Sequence, residues 1–259
     1  MLGSIIFKLR AENSAAISSV NGRFMHAAFF NFLREFGIDE EVHDRMNIKP
    51  FTVSFLKPFN SHIGDKNWQV SRRDHFLRRV TTLNEEMLRV AASMPIDFRL
   101  RAGELILNVD DFDVSCKPKS EFLDAAKHYP YFDTIKFDFV SPTTFRIDDC
   151  DAPYPRPELI FQSIAEKWTQ LDMPATVDKK LIRELTVQVR LTTWQGRSRK
   201  VFLGNDRGTL AFSGNFCYNL ERLNEETRRV FGLPAKFAEY SGVGRLTAQG
   251  FGQTRVDFA

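Results

Sequence analysis

The period of the apolar residues switches between two and about 3.6 in the same order twice along the chain, and that repeated switch restricts the folds open to it. Residues 4–10 alternate as a strand, after which Met25, Phe29, Phe32 and Phe36 recur at i, i+4, i+7 and i+11, the spacing of one buried helical face. Residues 51–56 and 68–73 read as strands separated by a loop containing Gly64. Thr82-x-x-Glu85 then has capping-box spacing and opens a helix to about Met94, and residues 104–114 read as a further strand. The order β-α-β-β-α-β is that of the ferredoxin-like unit.

The second half repeats it. Residues 134–140 alternate with Ile135, Phe137 and Phe139 inward, and residues 157–171 place Phe161, Ile164, Trp168 and Leu171 along one helical face, with Pro157 suited to the first turn. Leu185, Val187, Val189 and Leu191 alternate as a strand, residues 210–218 read as another, residues 223–240 as a helix and residues 253–258 as a last strand. The stretch 117–129, with Pro118 and Pro130, is the expected junction. The expectation is an α+β chain of two tandem ferredoxin-like domains, residues 1–120 and 121–259.

A chain of 259 residues with 43% hydrophobic content is long enough for one large core or two small ones. A net charge of +3 says little about nucleic acid, because acidic surface elsewhere can offset a basic groove. Cys116, Cys150 and Cys217 are odd in number and lack Cys-x-x-Cys spacing, which argues against a disulfide framework or zinc site and for a reduced, cytoplasmic setting. No apolar run approaches the eighteen or so residues needed to cross a bilayer, and no secretory leader is expected.

Near the C-terminus stands Gly242-Val243-Gly244-Arg245-Leu246-Thr247-Ala248-Gln249-Gly250-Phe251-Gly252. Four glycines in eleven residues permit positive φ and close main-chain approach, and exposed amides in such a loop suit phosphate oxygens. A flexible linker is a poor account, because Val243, Leu246 and Phe251 supply apolar anchors. A nucleotide loop is another poor one, because no Lys-Ser/Thr follows the second glycine. A tight structural turn and a surface for RNA both remain open on glycine content alone.

This block resembles the signature loop of the CRISPR repeat-RNA endoribonucleases, the sixth numbered CRISPR-associated family. Three other blocks are similar in the same way: Glu41-Val42-His43-Asp44 followed by residues 49–56, then Ser141-Pro142-Thr143-Thr144-Phe145-Arg146, then Pro153-Tyr154-Pro155-Arg156-Pro157-Glu158. The resemblance implies two domains like RNA-recognition motifs, and an endoribonuclease that cuts CRISPR precursor RNA once per repeat to release guide RNAs for an interference complex. It further implies that His43 transfers a proton and that Lys49 stabilises the transition state. RNA is expected in the cleft and along the loops, because the aromatic motif of sheet-face RNA binders is not evident.

The chemistry so implied needs no metal: the 2′-hydroxyl attacks the adjacent phosphate, a base takes its proton, an acid protonates the leaving oxygen, and a cation offsets phosphate charge. Imidazole suits the first two roles. Some family members carry a tyrosine where this chain has Phe30. His26, four residues earlier on the same helical face, is the candidate second acid or base, against the reading of a helix-edge histidine packed on Phe29 and Phe30. Arg23, one turn earlier, either helps neutralise the phosphate or faces solvent.

For RNA binding the resemblance points to Gly242, Gly244, Arg245, Gly250, Gly252 and Arg146. Arg197, Arg199 and Lys200, beside Gly196 at an expected hairpin tip, and Arg72 and Arg73, at an expected strand end, form clusters able to contact phosphates. Asp110, Asp111 and Asp113, and Asp148, Asp149 and Asp151, lack the glycine and terminal glutamate of a calcium loop and are read as solvated loops. The expectation is no cofactor, no metal and no membrane partner, with repeat RNA bound by a monomer or homodimer. The competing reading is a non-catalytic repeat-RNA-binding subunit of the same fold.

Overall fold

The computed structural model describes residues 1–38, 48–59, 67–175, 177–203 and 208–259. They fall into two compact units, residues 1–116 with 248–250, and residues 117–247 with 251–259.

In the first unit, β1 (Leu2–Ala11) buries Ile5, Phe7 and Leu9 on one face, as the two-residue period demands. Helix α1 (Gly22–Glu35) turns Met25, Ala28, Phe29, Phe32 and Leu33 inward, while Phe36, outside the helix, is exposed. The sheet contains β3 (Phe51–Val53), β6 (His75–Thr82), β1, β8 (Leu105–Lys117) and β7 (Arg99–Ala102) in that order, with the short β4 (Lys57–Pro58) also paired to β6. Spatially, β8-β1-β6-β3 is the fourth-first-third-second arrangement of a ferredoxin-like sheet. Two strands, β2 (Ala15–Ser18) and β5 (Asn67–Val70), form a separate ribbon.

That ribbon corrects one expectation. Residues 68–73 do not supply the third strand of the sheet; His75–Thr82 does, paired antiparallel to β1 from Arg10↔His75 to Gly3↔Thr82. The helix start also differs. Asn84, not Thr82, caps α2 (Glu85–Ala92), its side-chain oxygen accepting from the Met87 amide at 2.9 Å, with Glu85 and Glu86 in the first turn where the helix dipole favours them.

The second unit begins with α3 (Lys119–Ala125), whose Phe122 is buried against Trp168 and Tyr240. Its sheet order is β12 (Arg190–Phe202), β13 (Gly208–Asn219), β9 (Thr134–Thr143) and β14 (Thr254–Phe258), again second-third-first-fourth. Ile135, Phe137 and Phe139 of β9 are buried; Phe137 meets Phe161 of α4 (Pro157–Gln170) edge-on, and Phe161 in turn meets Phe231 of α6 (Glu225–Ser241) edge-on. A small hairpin, β10 (Phe145–Ile147) with β11 (Cys150–Ala152), follows β9.

The alternation of Leu185, Val187, Val189 and Leu191 misleads. Residues 179–185 form helix α5 (Lys179–Leu185), capped by the Asp178 carboxylate on the Lys180 and Leu181 amides, and a 3-10 turn (Thr186–Gln188) leaves Val187 72% exposed before β12 begins. Among the described residues no helix is long and apolar enough to cross a membrane.

Candidate nucleic-acid interface and catalytic residues

Two of the blocks singled out in the sequence are partners in space. The glycine loop leaves α6 at Gly242 and sits on the Ser141–Arg146 block, which spans the end of β9. Gly252 donates to the Pro142 carbonyl at 2.9 Å, Arg245 to the Thr144 carbonyl at 3.0 Å, and Gln253 to the Ser141 hydroxyl at 2.9 Å. Gly244 donates to Ser163 Oγ of α4 at 2.8 Å, and Val243 closes the loop on the Gly252 carbonyl at 2.8 Å.

The expectation of a row of exposed amides is therefore corrected. The amides of Gly242, Val243, Gly244, Arg245, Phe251 and Gly252 all donate within the protein. The glycines serve the loop's shape. Gly242, Gly244, Gly250 and Gly252 all have positive φ, and at Gly244 (φ 75°) a Cβ would lie 2.3 Å from the Thr144 carbonyl oxygen.

A residue that the sequence reading passed over holds the loop's entry. Lys167 of α4 is 3% exposed and donates to the Ser241 and Gly242 carbonyls at 3.1 and 3.0 Å. These carbonyls end α6, where a helix has unpaired acceptors and partial negative charge. Burial pushes the Lys167 ammonium down to about 7. The available signal was a lysine on the apolar face marked by Ile160, Ile164, Trp168 and Leu171.

Arg245 and Arg146 come together at the β10–β11 hairpin. Arg146 pairs in register with Asp151, whose carboxylate lies 3.6 Å from Arg245 and also accepts from the Leu210 amide; Arg146 itself meets Asp149 at 2.9 Å. Both guanidinium groups are partly exposed and both sit beside an aspartate.

Arg197, Arg199 and Lys200 are not at a hairpin tip. They lie within β12, Gly196 to Lys200 pairing with Gly214 to Leu210, and strand alternation puts Arg197 and Arg199 on one face and Lys200 on the other, over the Phe202 ring at 5.5 Å. Arg72 and Arg73 likewise follow β5 in a turn and do not end a strand.

In the first unit, His26 stands on α1. Its Nδ1 is 3.0 Å from the Ala248 carbonyl, and its ring stacks on Phe30 (6.2 Å, 6°) and Phe51 (5.5 Å, 19°). Phe29, the other expected neighbour, instead packs edge-on against Phe51. Since a carbonyl only accepts, Nδ1 carries the proton, and Nε2 is the basic nitrogen of the neutral ring. The start of α1 makes this approach possible: a Cβ on Gly22 would lie 1.7 Å from the Gln249 carbonyl oxygen. Arg23 is exposed, and Lys49 is half-buried two residues before Phe51. His43 lies outside the described residues.

The aspartate clusters are drawn into ion pairs: Asp110 with Arg10 and His75, Asp111 and Asp113 with Lys8, Asp149 with Arg146, and Asp151 with Arg245. Among the described residues no three His, Cys, Asp or Glu side chains gather as metal ligands would.

Residues 137–254 match the family model described as CRISPR-associated endoribonuclease Cas6. The Cas6 endoribonucleases of two Mycobacterium tuberculosis strains, CDC 1551 / Oshkosh and ATCC 25618 / H37Rv, are each 30% identical over 161 residues, 61% of this chain. The chain spans 50% of the length of these relatives. Among solved structures, a Cas6 product complex aligns with a TM-score of 0.75 at 22% identity over 99% of this chain and 100% of that one. Thermus thermophilus Cas6 aligns at 0.68 and 19% over 99% and 98%, and a Cas6-related protein of Pyrococcus furiosus at 0.64 and 15% over 99% of each. These structural likenesses establish the fold, two tandem ferredoxin-like units. Over residues 137–254 the chain is thus similar to the Cas6 family model, over 161 residues to curated Cas6 endoribonucleases, and in fold to solved Cas6 structures.

Proposed function

We propose that the protein is an endoribonuclease that cuts CRISPR precursor RNA within its repeats. The 2′-hydroxyl attacks the neighbouring phosphorus, forming the 2′-O–P bond as the P–O5′ bond breaks, and leaves a 2′,3′-cyclic phosphate and a 5′-hydroxyl. One group takes the 2′ proton and another gives a proton to the departing 5′ oxygen. Neither transfer requires a metal.

The observation that carries this reading is the fixed imidazole of His26. With Nδ1–H on the Ala248 carbonyl and the ring between Phe30 and Phe51, the neutral side chain presents Nε2 as a proton acceptor in one orientation. Phenylalanine at position 30 has no proton to exchange, so His26 takes that role. His43 is the partner acid or base, and Lys49 offsets charge on the phosphate; these two assignments rest on the family resemblance. Arg23 neutralises the phosphate from the same helix. The relatives' name as endoribonucleases and the solved Cas6 product and substrate-mimic complexes support the substrate class.

Residues 121–259 contribute the RNA-binding loop of this account and residues 1–120 the chemistry. Arg245 and Arg146 contact phosphates, with Arg197, Arg199 and Lys200 of β12 reaching the backbone from two faces. Gly242, Gly244, Gly250 and Gly252 shape the loop that presents Arg245. The reaction takes place in the cytoplasm, and the released guide RNA passes to an interference complex.

The test is incubation of purified protein with RNA of the host's own repeat in excess chelator, followed by end-group analysis. A single cut per repeat with a cyclic phosphate supports the reading. Intact RNA, or a 3′-hydroxyl at the cut, refutes it.

A further inference from the structure

A pocket of about 340 Å³ lies in the first unit between the end of β4, the strand β5 and the start of β6. Its volume falls within the range of small-ligand sites, roughly 300–1,000 Å³. One wall is Trp68, held nearly parallel to the buried Phe76 (6.4 Å, 11°), so the plane of the indole is set by the core. Another is Phe59, 47% exposed, which meets His75 edge-on (6.4 Å, 84°) and whose amide is held by the His75 carbonyl at 3.1 Å.

At the mouth stands Arg73. Its backbone is in the left-handed region (φ 76°), uncommon for a residue with a Cβ, and its amide is tied to the Ala11 carbonyl at 2.8 Å. Among the described residues its guanidinium meets no carboxylate. The neighbouring Asp74 carboxylate is spent on the turn itself, accepting from the Ser71 amide at 2.8 Å. Rigid aromatic walls beside an uncommitted cation match the two parts of a nucleotide, a base with a π-face and a phosphate.

We propose that this pocket holds one unpaired nucleotide of the RNA chain, its base between Phe59 and Trp68 and its phosphate on Arg73. Its lining shares no residue with the glycine loop and does not include His26, and the proposal rests on the RNA-processing reading only for the source of the nucleotide. It selects for unpaired RNA, because a paired base is not free to enter.

The test uses Phe59→Ala and Arg73→Ala, both at exposed side chains, with two probes: the host's repeat RNA and an unstructured ten-nucleotide oligoadenylate. Binding is read by fluorescence anisotropy at several salt concentrations. Phe59→Ala is expected to raise Kd about fivefold or more with the salt slope unchanged, and Arg73→Ala to raise Kd and flatten the slope by about one.

Both variants binding both RNAs within twofold of wild type, with unchanged slopes, would overturn the pocket and leave the cleavage reading standing. If instead the wild-type protein neither binds nor cuts repeat RNA while both variants still weaken oligoadenylate binding, the cleavage reading fails and the pocket survives. A third arm titrates free 5′-AMP. Saturation by AMP at lower concentration than by oligoadenylate overturns the assignment to an RNA chain.

Discussion

The Lys167 ammonium lies 3.0 Å from the carbonyl of Gly242, the residue at which α6 ends and the glycine loop begins. A buried cation is costly unless well partnered, and here its partners are two carbonyls, of Ser241 and Gly242, at a helix end. The loop's starting point is thus fixed from a neighbouring helix.

Stability should respond to pH through this group. Its folded value is about 7, whereas an unfolded lysine titrates near 10.5, so between those values the unfolded chain binds more protons. The cost of the buried charge is fully present below pH 7 and is relieved as pH rises. Urea unfolding at pH 6 to 9 should therefore show stability rising above pH 7 by up to about 1.4 kcal/mol per pH unit from this group. Lys167→Met should flatten that rise; an unchanged rise in the variant would contradict the assignment.

Gly244 joins left-handed φ to contact with the Thr144 carbonyl. Gly244→Ala should cost about 2 kcal/mol or more, from backbone strain plus displacement of a packed carbonyl. Repeat-RNA affinity should fall roughly tenfold with it, since that cost is borne in shaping the loop. Wild-type melting and affinity together would show that the loop shape does not matter.

Arg245 and Asp151 make opposite forecasts. Arg245→Ala should weaken repeat-RNA binding at all salt concentrations and reduce the salt slope by about one. Asp151→Asn retains an acceptor for the Leu210 amide while removing the charge beside Arg245, and should tighten binding two- to threefold. Asparagine weakening the complex would place Asp151, not Arg245, against the ligand.

Where the sequence was legible, a single period ran uninterrupted. Phe137 and Phe139 in β9 and Ile164 and Trp168 in α4 alternate or recur because each element has one buried face. The strand His75–Thr82 was missed because Arg78 occupies a core position there. It is fully buried, reaches the Met25 carbonyl at 2.8 Å and lies over the Phe29 ring, and burial pushes it down to about 9. Local pattern could not announce that tertiary choice. At residues 185–191 the reverse occurred, an apparent alternation overridden by the Asp178 cap and the burial of Ile182. The site was legible as motifs but not as contacts: nothing along the chain says that Ser141 to Thr144 would accept the glycine loop's amides.

The two histidines should separate chemistry from binding. His26→Ala and His43→Ala should each lower the single-turnover rate by roughly 10²- to 10⁴-fold while leaving RNA affinity within a few-fold. If His26→Ala cuts at the wild-type rate, its bond to Ala248 is a packing device.

The most direct measurement is cleavage of repeat RNA carrying one 2′-deoxy nucleotide immediately 5′ of the cut, compared under single-turnover conditions with the all-ribose molecule. The account predicts that the deoxy substrate binds with nearly the same affinity and is not cut. Cleavage of that substrate at a rate near the all-ribose value would contradict it.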